Sequence, residues 1–454
     1  MIKRITVLLF ALSIAMAILF FSGCSPGNRG SIAVYDAGGN EIANLNVVSR
    51  RNFSLAEEEN RAYLETVVSE AEGVIADLKN LSPEKARRHL LRSSYSIYTA
   101  FDPAVYTAIK TGYQNLQFGE LSFGCAITDL HGNLLATYSA KGTDAEYVNY
   151  AAAQTPPYSS FKPLCVYAPA IENSQANWST LFLDAPIKTI RGTDGKSSDW
   201  PVNATRTYSY TGESLAHAIQ VSLNTAAVRC MQTVGVENSF GFLEDKFDLT
   251  LTYEKEKAAA LGADEVIGNV ALGYLYEGVS PIQMAGYYQT FANGGKYTKP
   301  HTILKICDEG GNLVYECAAE EKQVVKPSTA YIMNRLLQNV VTPGGTGGDA
   351  ACEGITVGGK TGTGDHGNWF VGFTPQYTCA VWHGTEVKKN NACNIFASIM
   401  GNLDNTRKTS FPNCAGIKKA AYCTESGMLY SRNCQKADVG YYISDTLPQV
   451  CDKH

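Results

Sequence analysis

After Met1-Ile2-Lys3-Arg4 the chain is apolar from Ile5 to Phe21, interrupted only by Thr6 and Ser13. Alternation replaces this run at 31–46, folded about Asp36-Ala37-Gly38-Gly39-Asn40, which predicts a strand pair with a turn. Between 57 and 81 the spacing becomes helical: Leu64, Val67, Val68, Ala71, Val74, Leu78 and Leu81 line one face, with acidic residues on the other. Ser82-Pro83-Glu84 supplies an N-cap, a first-turn proline and a first-turn acid for a helix through Arg92. Asp102-Pro103 starts another, to about Leu116. Hairpins are expected at 123–128 with 134–139, and at 303–307 with 313–317. Between these hairpins, mostly helical segments run to about Leu249, with a further helix at 283–293. Residues 356–385 are strand-like and punctuated by glycine, and a helix at 396–403 precedes a cysteine-bearing tail. Runs of both periods predict a mixed α+β fold. No internal repeat or low-complexity block interrupts them.

Composition narrows the class. With 454 residues, 45% hydrophobic and 18% charged, the chain has ample apolar material for two to four domains, which excludes a disordered chain or bare coiled coil. A net charge of -5 offers no basic face for nucleic acid. The basic opening and apolar run describe an export signal, and Phe21-Ser22-Gly23-Cys24 resembles the lipobox of bacterial lipoproteins. That resemblance implies a signal peptide over 1–23 and a lipid on Cys24, with Phe21 standing where leucine is usual. An uncleaved transmembrane anchor is the alternative, since the run falls just short of the ~20 residues that span a bilayer. Either places the remainder on the extracytoplasmic face of the cell membrane. Of 13 cysteines, 12 then remain, an even number compatible with disulfides unless an anaerobic source keeps them reduced.

Three short motifs follow in the order that one reaction class needs. In Ser159-Ser160-Phe161-Lys162, positions three apart at a helix start share a face, so hydroxyl and amine can meet. A serine needs a neighbouring base, and a lysine serves as one only when burial or a second cation depresses its pKa. The helix N-terminus also favours a developing oxyanion. Ser222-Leu223-Asn224 offers a hydroxyl to relay a proton and an amide to hold a peptide group. Lys360-Thr361-Gly362-Thr363, after Val357-Gly358-Gly359, reads as an edge strand. There glycine admits a substrate backbone, Lys360 and the threonines grip a carboxylate, and the Thr363 N–H completes an oxyanion hole. Ser82–Lys85, Lys110–Gly112 and Ser431–Asn433 match the same patterns, but the first is better read as a helix cap and none has the required context.

The ordered set resembles the transpeptidase domain of class A penicillin-binding proteins, whose motifs are shared with serine β-lactamases. The likeness extends to Ile97–Asp102, Trp200-Pro201-Val202-Asn203, Ser222–Arg229, Glu277–Pro281, Phe291–Gly295 and Trp369–Pro375. In the tail, Cys423, Ser426-Gly427, Cys434, Pro448 and Cys451–His454 resemble some Gram-positive members. The family implies an antiparallel sheet flanked by helices, with a small helical linker module before it. Expected boundaries are a tether and linker at 24–94, the transpeptidase domain at 95–410 and the tail at 411–454. Tyr158 stands where the family has glycine, and crowds the mouth of the site on this reading. Between Tyr35–Gly39 and the helix from Glu57, under 20 residues occupy the place of a glycosyltransferase domain, so the polymerase module is read as lost.

The resemblance assigns Ser159 as nucleophile, Lys162 as general base, Ser222 and Asn224 as relay and positioning groups, and Lys360, Thr361, Gly362 and Thr363 to the carboxylate end. The implied activity is D,D-transpeptidation of peptidoglycan stem peptides, with β-lactams as mimics, no cofactor or metal, and a separate glycan polymerase as partner. A β-lactamase or D,D-carboxypeptidase is one alternative, and a non-catalytic penicillin-binding scaffold, favoured by Tyr158, another. Cys125 and Cys165 read as buried hydrophobes, Cys307 and Cys317 as a pair facing across a hairpin. Cys414, Cys423, Cys434, Cys451 and His454 lack a C-x-x-C pair and read as disulfide partners rather than zinc ligands.

Overall fold

The computed structural model describes residues 30–49, 52–53, 55, 59–115, 121–142, 147–191, 196–260, 262–385, 391–403 and 410–454. The apolar run and Cys24 lie outside these residues. Among the described residues no helix is long and apolar enough to cross a membrane.

The 123–139 hairpin and the glycine-punctuated segment join in one antiparallel sheet. Its order is Gly358–Gly364, Gly367–Phe373, Tyr377–His383, Phe123–Asp129, Leu134–Ala140. Every residue from Gly367 to Phe373 is buried, because helices cover both faces of this strand and no polar alternation is needed. The Pro281–Ala292 helix packs on three of the strands, and Ala392–Gly401, backed by Pro103–Gln114, packs on two. Asp102 caps the latter helix through the N–H groups of Ala104 (2.8 Å) and Val105 (3.3 Å). Ser82 holds the equivalent position before Pro83–Leu90 without a side-chain cap bond.

A second sheet has the order Leu313–Glu316, Ile303–Asp308, Tyr95–Thr99, Ser31–Tyr35, Glu41–Ser49, Asn52–Phe53. Strands from either side of residue 94 therefore share one sheet, with Ser31–Tyr35 parallel to Tyr95–Thr99. The Arg61–Lys79 helix buries Tyr63, Leu64, Val67, Val68, Ala71 and Ile75, whereas Leu78 is 50% exposed and leaves the apolar face read from the sequence. Glu70 fastens this helix to the sheet by accepting from the Thr302 N–H and hydroxyl (2.6 Å each) and the Ile303 N–H (3.3 Å).

Two cysteine expectations change. In the 303–316 hairpin Cys307 pairs with Leu313 and the Cys317 N–H donates to Leu304 O, so the register keeps the two cysteines apart. Among the described residues, Cys414, Cys423, Cys434 and Cys451 are free thiols, so the disulfides expected in the tail are not formed either. Cys125 and Cys165 are buried, as read. The sequence pattern gave no warning of the Pro327–Val340 helix, or of the tail hairpin formed by Ile417–Cys423 and Ala437–Ile443.

Replacing Glu70 with alanine strands two N–H groups and a hydroxyl. The expected loss is about 1–3 kcal/mol, read as a lower urea midpoint at unchanged m-value. An unmoved midpoint contradicts this role.

Candidate active site

The segment from Tyr158 opens with a tight 3₁₀ turn, Tyr158–Phe161, widens to a π-type turn at Pro163–Tyr167 and continues as the Ala168–Glu172 helix. Two serines compete for the outward position here. Ser160 is fully buried, donates to Pro157 O at 2.6 Å and accepts nothing from the site, while Ser159 remains partly exposed. Three residues on, Lys162 is fully buried on the same turn. The Tyr288 hydroxyl donates to Ser160 O and Trp369 Nε1 donates to Pro156 O at 3.0 Å, locking the turn against the buried helix and the central sheet.

The Lys162 amine reaches Ser222 O (3.0 Å), Ser222 Oγ (3.4 Å), Leu223 O (3.5 Å) and Asn224 Oδ1 (2.7 Å). The first two motifs thus meet at one nitrogen. It is turned towards Ser222 and Asn224 and makes no hydrogen bond to the Ser159 hydroxyl, a bond that catalytic sites often tighten only when substrate arrives. Burial pushes the Lys162 amine well below its ordinary pKa, and the Lys360 charge lowers it further. Lys360, also fully buried, is pushed down to about 7 by desolvation. Its Nζ lies 3.3 Å from Thr361 O and 3.4 Å from Thr361 Oγ1.

Gly358–Gly364 is an edge strand, as expected, with Lys360 and Gly362 on one face and Thr361 and Thr363 on the other. A Cβ at Gly362 would stand 2.4 Å from Pro157 O, so the missing side chain admits the chain's own serine turn. Thr361 Oγ1 donates to Thr346 Oγ1 at 2.9 Å, and Thr363 is exposed.

Three participants escaped the sequence reading. Asn203 Oδ1 accepts from the N–H groups of Asn224 (2.9 Å) and Thr225 (3.4 Å), capping the Asn224–Val234 helix from a distant loop. Asp184, 4% exposed, holds Asn203 Nδ2 at 2.7 Å and Thr225 Oγ1 at 2.6 Å. Burial pushes its carboxyl up, but hydrogen bonds from Thr225, Ser209 and Asn203 outweigh that and hold it below the usual range. Thr346 joins the edge strand to Gln220 O through its own N–H (3.1 Å), just before Ser222. Its only signal was the glycine-dense run Gly344-Gly345-Thr346-Gly347.

Residues 125–401, more than half of the chain, match the family model of the penicillin binding protein transpeptidase domain. The chain belongs to this family. Penicillin-binding protein 1A of Clostridium botulinum is 33% identical over 258 residues, covering 54% of this chain and 30% of that protein. Penicillin-binding protein 4 of Bacillus subtilis is 29% identical over 335 residues, covering 70% of this chain and 51% of that one. The chain therefore spans only about a third to a half of these relatives' length. Among solved structures, the D,D-transpeptidase domain of a peptidoglycan glycosyltransferase from Eggerthella lenta superposes with a TM-score of 0.61 at 18% identity, over 83% of this chain and 98% of that one. PonA1 from Mycobacterium tuberculosis, in complex with penicillin V, gives 0.60 at 19% identity over 78% and 96%. The mixed α+β fold with an antiparallel sheet between helices is the one these structures share.

Against the family pattern, Tyr158 does not crowd the mouth. It adopts a left-handed φ of 51°, the conformation that suits glycine, and its ring is only 2% exposed. The ring lies under the turn after the edge strand, where Gly364 has no side chain to obstruct it and the Tyr158 hydroxyl accepts the His366 N–H at 3.0 Å.

Depressed lysine pKa values give the site a pH signature. The unfolded chain binds more protons than the native one between the lowered folded values and the unfolded value of about 10.4, so stability rises with pH across that window. Urea midpoints taken from pH 7 to about pH 10 should rise more steeply in wild type than in Lys360→Met. Equal slopes contradict a deprotonation-prone Lys360.

Proposed function

We propose that the chain is a peptidoglycan D,D-transpeptidase acting through an acyl-enzyme on Ser159. The observation that carries this reading is the Lys162 amine, buried, depressed in pKa and shared between Ser222 and Asn224 one turn from a partly exposed serine. A neutral Lys162 takes the Ser159 proton, with Ser222 Oγ beside it as relay. The Ser159 Oγ–carbon bond forms at the penultimate D-Ala carbonyl, the terminal D-Ala amine leaves with a proton, and the N-terminus of the serine helix stabilises the oxyanion. Asn224 positions the substrate peptide. Lys360, Thr361 and Thr363 bind the carboxylate end, and a carboxylate facing the buried Lys360 amine favours its charged form. An amine of a neighbouring stem peptide then displaces Ser159 and forms the crosslink.

β-Lactams acylate the same hydroxyl as substrate mimics. The export signal and Cys24 fit a lipid-anchored enzyme on the extracytoplasmic face, supplied with glycan by a separate polymerase. Ser160 is excluded as nucleophile by its burial and its bond to Pro157 O.

Fluorescent penicillin should label wild type and Ser160→Ala covalently, and label Ser159→Ala only at background. An unlabelled wild type sinks the enzyme reading in favour of a scaffold. Label that disappears within seconds favours a β-lactamase.

A further inference from the structure

The tail hairpin encloses a small core of its own, made of Cys423, Cys434 and Cys451 at 0%, 7% and 5% exposure, with Met428 packed against them. The ligand atoms of Cys423, Cys451 and His454 all lie within 4.8 Å of one another. Cys434 packs with Cys423 and Cys451 in the same buried cluster. A tetrahedral zinc with Zn–S near 2.3 Å requires neighbouring sulfurs about 3.8 Å apart, so a modest contraction suffices. We propose that Cys423, Cys434, Cys451 and His454 form a structural zinc site.

Four features support a metal over a disulfide. Three thiols meet at one point, so pairing any two leaves the third and the imidazole without a role, whereas a Cys₃His set uses all four. Cys451-Asp452-Lys453-His454 is a C-x-x-H pair, with the same two-residue chelate loop as C-x-x-C. The sulfurs accept donors of the kind that steady metal thiolates: Ser431 N–H to Cys434 Sγ at 3.3 Å and the Ser426 hydroxyl to Cys451 Sγ at 3.2 Å. Glu425 Oε2 lies 3.2 Å from His454 Nε2, which fixes the ring and leaves Nδ1 for the metal. Binding releases the protons of the thiols that ligate.

The site would hold together three segments that have almost no apolar core between them: the end of the Ile417–Cys423 strand, the 431–434 loop and residues 451–454. The module they form braces the catalytic body. Gly427 O accepts the Ser179 hydroxyl at 2.6 Å, Trp178 stacks edge-on against Tyr441 at 5.2 Å, and Tyr422 OH reaches Ser214 Oγ at 3.4 Å. Ser214 caps the Leu215–Gln220 helix that leads into Ser222. The zinc proposal is independent of the reaction assigned above.

The test is metal analysis of the whole chain purified without chelator, with zinc restored and excess removed by dialysis. The expected result is one tightly bound zinc per chain, unchanged in Cys414→Ser and falling to background in Cys451→Ser. The wild-type Co²⁺ form should show thiolate charge-transfer absorption, a readout that does not depend on any variant folding. Metal-free wild type after zinc addition, or a disulfide between any two of Cys423, Cys434 and Cys451 in non-reducing peptide mapping, overturns the proposal.

Discussion

Two buried lysine amines that feel one another's charge constrain the rest of this structure. Removing an ammonium from water is costly, and placing a second beside it costs more, so the pair is stable only with one proton given up or with dense polar support. Lys162 has that support in two carbonyls, a hydroxyl and an amide oxygen, all delivered by the bend at Ser222-Leu223-Asn224. Much of the surrounding architecture serves to place that bend. Ser222 has a left-handed φ of 63°, a strained conformation that the flanking helices over-determine. Asn203 caps the helix after it, Asp184 holds Asn203 and the Thr225 hydroxyl in place, and Thr346 ties the helix before it to the edge strand.

Read in this way, the two serines and the glycine explain one another. Gly362 lets the edge strand approach the 3₁₀ turn, which buries Ser160 and leaves Ser159 as the exposed hydroxyl above Lys162. Lys360, on the edge strand, adds its charge to the field at Lys162. One close approach of backbone to backbone therefore decides which of the two serines stays partly exposed and brings the Lys360 charge to bear on Lys162.

Much of this was legible in the chain because the motifs are local. An S-x-x-K on a helical turn, an S-x-N at a helix start and a K-T-G on an edge strand each follow from spacing within four residues. The hairpins at 31–46 and 123–139 were legible from alternation and Asp/Gly turns, and the Arg61–Lys79 helix from its period. What could not be read is long-range. Asp184 acts on Thr225 and Asn203 on Asn224 from 41 and 21 positions away in sequence, and nothing near them marks a cap. Tyr158 signals a bulky intrusion by its type, but the direction of its ring depends on the hairpin turn above it. The Cys307–Cys317 pairing failed because the hairpin register sets Cys307 against Leu313 and Cys317 beside Leu304. The tail was missed as a folded unit because its core is made of cysteines, which a hydrophobic pattern of strands and helices does not count.

The central claim is that burial, with the Lys360 charge nearby, holds the Lys162 amine well below its ordinary pKa. The most direct measurement is an NMR titration of lysines labelled at Cε, with Lys162 and Lys360 assigned by single Lys→Arg replacements. The account predicts that Lys162 titrates far below the ordinary lysine range and that its pKa rises when Lys360 is replaced by methionine. A Lys162 resonance that titrates near 10.4, the unperturbed value, in either protein would contradict it.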